Sequence, residues 1–159
     1  AALLLCSCTG LQKVESFGRG FAYGFTHGLK IDWQTDIKRA CQSAYTQRKP
    51  LVLYVFKYTC HACNNLDQYT WSNRVVGSLS MSAVYTKLLT IDELNNTDLS
   101  ELLGKKVKSN GGVTLVPATI VFTCGPKQAT EKGRIIGYYK PLHFYSRLRT
   151  LIIASSPDK

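Results

Sequence analysis

The most regular hydrophobic segment of the chain is the run LVLYVF at positions 51–56. A run that is apolar at every position predicts a strand buried on both faces of a sheet. Before it, apolar side chains recur at helical spacing from Trp33 to about Gln47, with Asp32 as the predicted N-cap. Lys49–Pro50 ends this helix, because a proline disfavours the helical conformation of the preceding residue. The chain therefore leads from a first helix into a buried strand.

Helical and extended patterns continue to alternate after this strand. They predict strands over residues 83–91, 114–123 and 135–139, and helices over residues 64–70, 98–108 and 142–153. Glu131–Arg134 is predicted to be the turn of the last hairpin. The order β–α–β–α–β–β–α, after the leading extra helix, indicates an α/β fold with a mixed sheet covered by helices on both faces. The domain is predicted to span residues 31–153, followed by a disordered tail over residues 154–159.

Composition indicates a globular domain with a cationic surface. Hydrophobic residues make up 45% of the 159 positions, which is ordinary for a folded protein. Twenty Lys and Arg against ten Asp and Glu give a formal net charge of +10. The basic residues are scattered, apart from the segment KKVK at 105–108, and no known nucleic-acid motif accompanies them. We therefore expect no nucleic-acid binding. No apolar stretch reaches the roughly 18 residues of a membrane-spanning helix.

The motif Cys60-His61-Ala62-Cys63 lies between the strand at 51–56 and the helix that follows it. A cysteine at a helix N-terminus meets free backbone N–H groups and the positive end of the helix dipole, which favour a thiolate. The two-residue spacing allows Cys63 to resolve a mixed disulfide formed at Cys60. A protonated His61 would stabilise the thiolate and raise the reduction potential; otherwise His61 is an exposed spacer. The motif predicts thiol–disulfide exchange.

Two other roles of a cysteine pair, in a zinc site and in a structural disulfide, fit the sequence less well. A structural zinc site needs four ligands, commonly as two spaced pairs, and the sequence has no second pair of this kind. A purely structural disulfide across so short a loop would constrain little chain entropy. Cys41 is predicted to be a buried thiol on the first helix, and Cys124 to be buried, with a third functional thiol as the alternative. We expect no cofactor and no metal.

The first 30 residues are predicted to lie outside the folded domain. The segment AALLLCSC at 1–8 is typical of the end of a signal peptide, and LCSC also resembles a bacterial lipobox with Cys8 as the lipid acceptor. Glycines and aromatic residues without a sustained period follow, which indicates a flexible tether. We therefore expect a periplasmic or otherwise exported protein with Cys8 as a candidate lipid anchor. The alternative is an apolar start without function.

The order of elements and three motifs resemble the thioredoxin fold over residues 31–153. The motifs are the cysteine pair, the segment GVTLVPAT at 112–119, and the final hairpin and helix. The region of the first helix further resembles Dsb-type periplasmic disulfide oxidoreductases, such as the C-terminal domain of DsbD and chlamydial DsbH. The resemblance implies that Pro117 has a cis peptide bond and lies against the active-site disulfide, and that the backbone of Val116 pairs with an extended substrate. Otherwise Pro117 would simply lie on an edge strand.

Two positions depart from the pattern of this family. Thioredoxins have a buried acid six residues before the first cysteine and a tryptophan directly before it, where this chain has Tyr54 and Thr59. In the family the acid helps to remove the proton of the second cysteine. A tyrosine, with a reference pKa of about 10, cannot take up that proton at neutral pH. Water, Lys57 or a group of the partner protein are the acceptors that the sequence suggests for the proton of Cys63.

The residues and the resemblance together predict an exported thiol–disulfide oxidoreductase that reduces or exchanges protein disulfides. The expected partners are protein or peptide disulfide substrates, a redox protein that recycles the cysteine pair, and a membrane if Cys8 carries lipid. The chain is expected to be a monomer. Reduction is favoured because the sequence lacks the large helical insertion of DsbA-type oxidants. The alternatives are such an oxidant, and a chaperone-like module that binds unfolded chains beside Pro117.

Overall fold

The structure, a computed structural model, describes residues 29–89, 101–102 and 115–156. In these ranges five strands form one sheet: β1 Trp33–Gln34, β2 Leu51–Val55, β3 Val84–Leu88, β4 Ala118–Cys124 and β5 Ala129–Ile136. The helices are α1 Ile37–Gln47, α2 His61–Asn65, which continues as a π-helix over Leu66–Trp71, α3 Arg74–Gly77 and α4 Pro141–Ser155. The predicted α/β class is confirmed.

The strands are ordered β1-β3-β2-β4-β5, so that β2 lies at the centre of the sheet. β1, β3 and β2 are parallel, whereas β4 is antiparallel to β2 and β5 is antiparallel to β4. The predicted mixed sheet is therefore confirmed. Because β2 and β3 are parallel, their C-terminal ends meet at one edge of the sheet. The chain leaves β2 at this edge and enters the segment that carries Cys60.

The central strand β2 is buried because helices cover both faces of the sheet. All of its side chains are fully buried. Leu51, Leu53 and Val55 pack in a cluster with the buried face of α1. Val52 and Tyr54 pack in a second cluster, with residues from the π-helix and from α4. Full burial of such a side chain contributes about 1.5–3 kcal/mol, so β2 joins both layers to the sheet.

The first helix, α1, begins later than the spacing of apolar residues predicted. Trp33 lies in the edge strand β1, and the N-cap is Asp36, which accepts a backbone N–H of the first turn at 3.1 Å. The predicted N-cap, Asp32, was therefore wrong. The ring of Trp33 packs edge-on against Trp71, with ring centroids 4.9 Å apart. Tertiary packing of this ring overrides the local helical pattern.

The predicted hairpin turn at 131–134 was also wrong. These residues lie inside β5, and the turn between β4 and β5 lies at 125–128. The segment contains a glycine, a residue that is common in turns. Instead, a Cβ atom at Gly133 would lie 2.6 Å from Cδ2 of Leu151 in α4. The glycine allows α4 to pack closely on the strand.

The remaining predicted elements fall partly outside the described residues. The closing helix begins one residue earlier than predicted and ends at Ser155, two residues into the predicted tail. Residues 1–28 of the predicted tether, and the predicted helix at 98–108 apart from residues 101–102, lie outside the described part of the chain. In the described ranges, no helix is both long enough and apolar enough to span a bilayer.

A disulfide joins Cys41 of α1 to Cys124 at the end of β4. Both side chains are buried, as predicted, but the prediction of free thiols was wrong. The two cysteines are 83 residues apart in sequence, and only the packing of α1 on β4 brings their Cα atoms to 5.5 Å. The disulfide encloses β2, β3 and the Cys60–Cys63 motif in one covalent loop.

We expect the double variant Cys41→Ala/Cys124→Ala to unfold at a lower urea concentration than the wild type. Loop closure accounts for about 4–5 kcal/mol at this separation, and for about 2 kcal/mol in the four-residue loop of Cys60–Cys63. The matched control Cys60→Ser/Cys63→Ser should therefore lose less unfolding free energy. Equal losses in the two variants, measured by circular dichroism, would contradict a mainly structural role for Cys41–Cys124.

Candidate redox site

Cys60 and Cys63 form a disulfide at the N-terminus of α2. After β2 ends, a turn in which the Cys60 N–H donates to the Lys57 carbonyl at 3.2 Å leads the chain into the helix. Cys60 is the N-cap of α2, and its Sγ accepts a hydrogen bond from the Cys63 backbone N–H at 3.1 Å. A sulfur in this position is stabilised as a thiolate once the disulfide is reduced.

The two cysteines differ in their access to solvent. Cys60 is half-buried, whereas Cys63 is fully buried. An incoming disulfide can therefore reach Cys60 directly. Cys63 can react only through Cys60, from inside the protein.

The segment before β4 lies beside the cysteine pair. Cys60 Sγ is 3.7 Å from the carbonyl oxygen of Val116, which is 56 positions away in sequence. The peptide bond between Val116 and Pro117 is cis. β4 begins at Ala118, so the strand predicted from residue 114 starts later, after the proline. The fold thus brings Cys60, Cys63 and Val116 together at one edge of the sheet.

Exposed side chains flank the pair in the chain. His61 is exposed in the first turn of α2, and Thr59 is exposed directly before Cys60. Tyr58, two residues before Cys60, is 73% exposed, and Leu115, directly before Val116, is 64% exposed. The ring of Tyr58 is held edge-on against Phe56, with centroids 5.6 Å apart. Exposed apolar groups beside a reactive sulfur are suited to contact with a polypeptide.

Tyr54 connects β2 to the helix that carries Cys63. Its Oη lies 3.3 Å from the carbonyl oxygen of Cys63 and 3.4 Å from Oδ2 of Asp67. Oδ1 of Asp67 accepts a hydrogen bond from Nζ of Lys87 at 2.9 Å. Lys87 is the direct neighbour of Tyr54 in the pairing of β2 with β3. An acid is therefore present at this site, although it comes from the helix rather than from the strand.

Three aromatic rings surround the ammonium group of Lys87. Its Nζ lies 4.6 Å from the ring centroid of Trp33, 5.3 Å from that of Tyr54 and 5.5 Å from that of Phe56. Such cation–π contacts hold the ammonium beside Asp67. The side chains of Lys87 and Asp67 remain 29% and 34% exposed, so water still reaches the ion pair.

Asp67 and Lys87 were not among the site residues predicted from the sequence. Asp67 could have been found, because it lies four residues after Cys63, and residues at this spacing share one face of a helix. Lys87 could not, because its position depends on the register between β2 and β3.

Burial raises the pKa of Tyr54 far above its usual value, and the charge of Asp67 and its hydrogen bond to the hydroxyl raise the pKa further. Tyr54 therefore keeps its proton in the neutral and moderately alkaline range and acts as a hydrogen-bond donor. Burial likewise raises the pKa of Tyr85, on β3.

No protein-family model and no curated protein matches the chain. Solved structures do. A thioredoxin from Thermus thermophilus is 15% identical with a TM-score of 0.60, the match covering 79% of this chain and 90% of that one. The reduced C-terminal domain of Neisseria meningitidis DsbD is 19% identical with a TM-score of 0.52, covering 72% and 92%. A DsbH oxidoreductase is 10% identical with a TM-score of 0.56, covering 78% and 85%. These similarities show that the chain has a thioredoxin fold.

We expect the unfolding free energy to decrease as the pH rises above about 10, because the unfolded chain then releases tyrosine protons that the folded chain retains. Each such tyrosine contributes a slope of up to about 1.4 kcal/mol per pH unit. Tyr54→Phe removes one contribution and should flatten the slope. The control Tyr45→Phe, at a ring that is 49% exposed, should keep the wild-type slope. Urea unfolding at several pH values measures the slope of the unfolding free energy for each variant. A slope for Tyr54→Phe equal to that of the wild type would contradict the raised pKa of Tyr54.

Proposed function

We propose that the protein is a thiol–disulfide oxidoreductase that acts on protein or peptide disulfides through Cys60 and Cys63. The observation that carries this proposal is the unequal exposure of two bonded sulfurs. Cys60 is half-buried at a helix N-terminus, and Cys63 is fully buried one turn further on. Exchange needs one accessible sulfur for attack and a second one within reach for resolution.

In the direction of reduction, the Cys60 thiolate attacks one sulfur of the substrate disulfide. A bond forms between Cys60 and that sulfur, and the other substrate sulfur leaves as a thiolate. Cys63 then loses its proton and attacks Cys60, which forms the Cys60–Cys63 disulfide and releases the second substrate thiolate. Two electrons pass from the cysteine pair to the substrate, and a separate redox protein must return them. The same steps in reverse oxidise a dithiol.

The proposed substrate is an extended segment of polypeptide. The carbonyl of Val116, next to Pro117, lies within 3.7 Å of Cys60 Sγ, so a backbone paired to Val116 would present its disulfide to Cys60. Tyr58 and Leu115 offer exposed apolar surface to the flanking side chains of such a segment. We further propose that His61, exposed in the first turn of α2, adjusts the reduction potential when it is protonated.

We propose that the protein works in an exported, oxidising location. Disulfides such as the buried Cys41–Cys124 bond persist in oxidising compartments and are rare in the cytosol. The signal-like segment at 1–8 supports the same location, with Cys8 as the lipid anchor. Radiolabelled palmitate supplied to a bacterial host should label the full chain but not its Cys8→Ser variant. Equal labelling of both would exclude Cys8 as the anchor.

Reduction is the proposed direction, because the sequence between the elements of the fold holds no large helical insertion of the DsbA type. The direction is tested by comparing initial rates of insulin reduction with rates of oxidation of a dithiol peptide. Faster oxidation, with glutathione as the common redox buffer, would support an oxidant instead.

We expect Cys60→Ser to abolish catalysed reduction of insulin, because the attacking sulfur is lost. Cys63→Ser should instead accumulate a mixed disulfide with insulin, visible by non-reducing electrophoresis, because the attack occurs but the resolution does not. The variant Cys41→Ala/Cys124→Ala is the matched control and should retain activity. If Cys60→Ser keeps full biological effect and substrate binding, the protein is a chaperone-like module. Stoichiometric zinc in the purified protein would favour a metal site.

A further inference from the structure

The geometry points to Asp67 as the group that accepts the proton of Cys63 when Cys63 attacks the mixed disulfide, with Tyr54 and Lys87 as positioning residues. This inference rests on the proposed function. It concerns the second half of the reaction, for which the sequence offers no acid on the central strand.

The position of Asp67 relative to Cys63 supports this role. Asp67 follows Cys63 by four residues, about one helical turn, and lies at the start of the π-helix that continues α2. Both residues also contact the same hydroxyl group, since Tyr54 Oη lies 3.3 Å from the Cys63 carbonyl and 3.4 Å from Asp67 Oδ2. This shared contact places the carboxylate beside the residue that carries the resolving thiol, so that one water molecule could bridge the two groups.

The orientation of the Asp67 carboxylate also supports this role. Its two oxygens are held separately, Oδ1 by the Lys87 ammonium at 2.9 Å and Oδ2 by the Tyr54 hydroxyl. A carboxylate has about four acceptor positions, so both oxygens keep room for a proton. Tyr54 of β2 and Lys87 of β3 are the titratable groups that contact Asp67 among the described residues. On the helix that carries Asp67, the nearest titratable group before it is Cys63.

Asp67 also gives the proton of Cys63 a route to solvent. Cys63 is fully buried, so its thiol has no direct exchange with bulk water. The side chain of Asp67 is 34% exposed, so a proton taken from inside the protein can pass from Asp67 to solvent. Asp67 thus offers the buried thiol a proton acceptor that solvent can reach.

In the mixed disulfide, Cys60 Sγ is bonded to a substrate sulfur and Cys63 is a thiol. The Asp67 carboxylate takes the proton of Cys63, and the Cys63 thiolate attacks Cys60 Sγ. The bond between Cys60 and the substrate breaks, and its electron pair leaves with the substrate thiolate. Asp67 then returns the proton to water or to that thiolate, and is regenerated.

An aromatic disulfide that releases one coloured thiolate at each step separates the two half-reactions. The full reduced chain is mixed with this probe in a stopped-flow instrument at pH values from about 5 to 9, which span the reference pKa values of carboxyl and thiol groups. The first phase of absorbance reports attack by Cys60, and the second reports resolution by Cys63.

In Asp67→Asn we expect the second phase to be slower by about tenfold or more at neutral pH, because general bases typically contribute 10²–10⁴-fold. The difference in second-phase rate between Asp67→Asn and the wild type should shrink as the pH approaches the reference thiol pKa of about 8.5. The first phase should change by less than about twofold, since the attack by Cys60 does not require this proton transfer. Asp67→Glu, which keeps the carboxylate, should recover most of the second phase.

Asp32→Asn is the matched control, because Asp32 is an exposed carboxylate that precedes β1 at the end of the sheet away from Cys60. Both of its phases should equal those of the wild type. Absence of a first phase in the wild type would refute the proposed function itself. If the second phase of Asp67→Asn has the rate and the pH profile of the wild type, the role of Asp67 is overturned. The same holds if both phases slow equally. Neither outcome affects the proposed function. If Asp67→Asn does not fold, judged by circular dichroism, Asp67→Ser is scored by the same criteria.

Discussion

The structure depends on the burial of β2 between two layers of helices. This burial fixes the alternation of its side chains, so that Tyr54 must point towards the helix that carries Cys63. It also fixes the place where the chain leaves the sheet, and the turn there delivers Cys60 to the N-cap of α2. The pairing of β2 with β3 then sets Lys87 beside Tyr54. The redox site is built at the end of this one strand.

The two disulfides within the described residues have opposite surroundings. In Cys41–Cys124 both sulfurs are buried and join elements that are distant in sequence, as a structural crosslink requires. In Cys60–Cys63 one sulfur is accessible, and the cysteines are neighbours on one helix turn. The chemistry we propose follows from this difference in exposure rather than from the cysteine content of the chain.

Features encoded by neighbouring residues were predictable from the sequence. The strand at 51–55 and the cysteine pair after it were found in this way, because an apolar run and a two-residue spacing are local signals. Features that depend on contacts across the fold were not. Trp33 left the predicted helix to pack on Trp71, and Cys41 found Cys124 only through the packing of α1 on β4. The ion pair of Asp67 with Lys87 likewise required the strand register.

The central claim is that Cys60 and Cys63 interconvert reversibly between dithiol and disulfide. A redox titration of the full chain against glutathione, followed by thiol labelling and mass spectrometry, tests it most directly. We predict one two-electron transition at this pair, closer to the value of about −270 mV typical of thioredoxin than to the −120 mV of DsbA-type oxidants. Cys41–Cys124 should remain oxidised across that range. The absence of any reversible transition at Cys60–Cys63 would contradict the account.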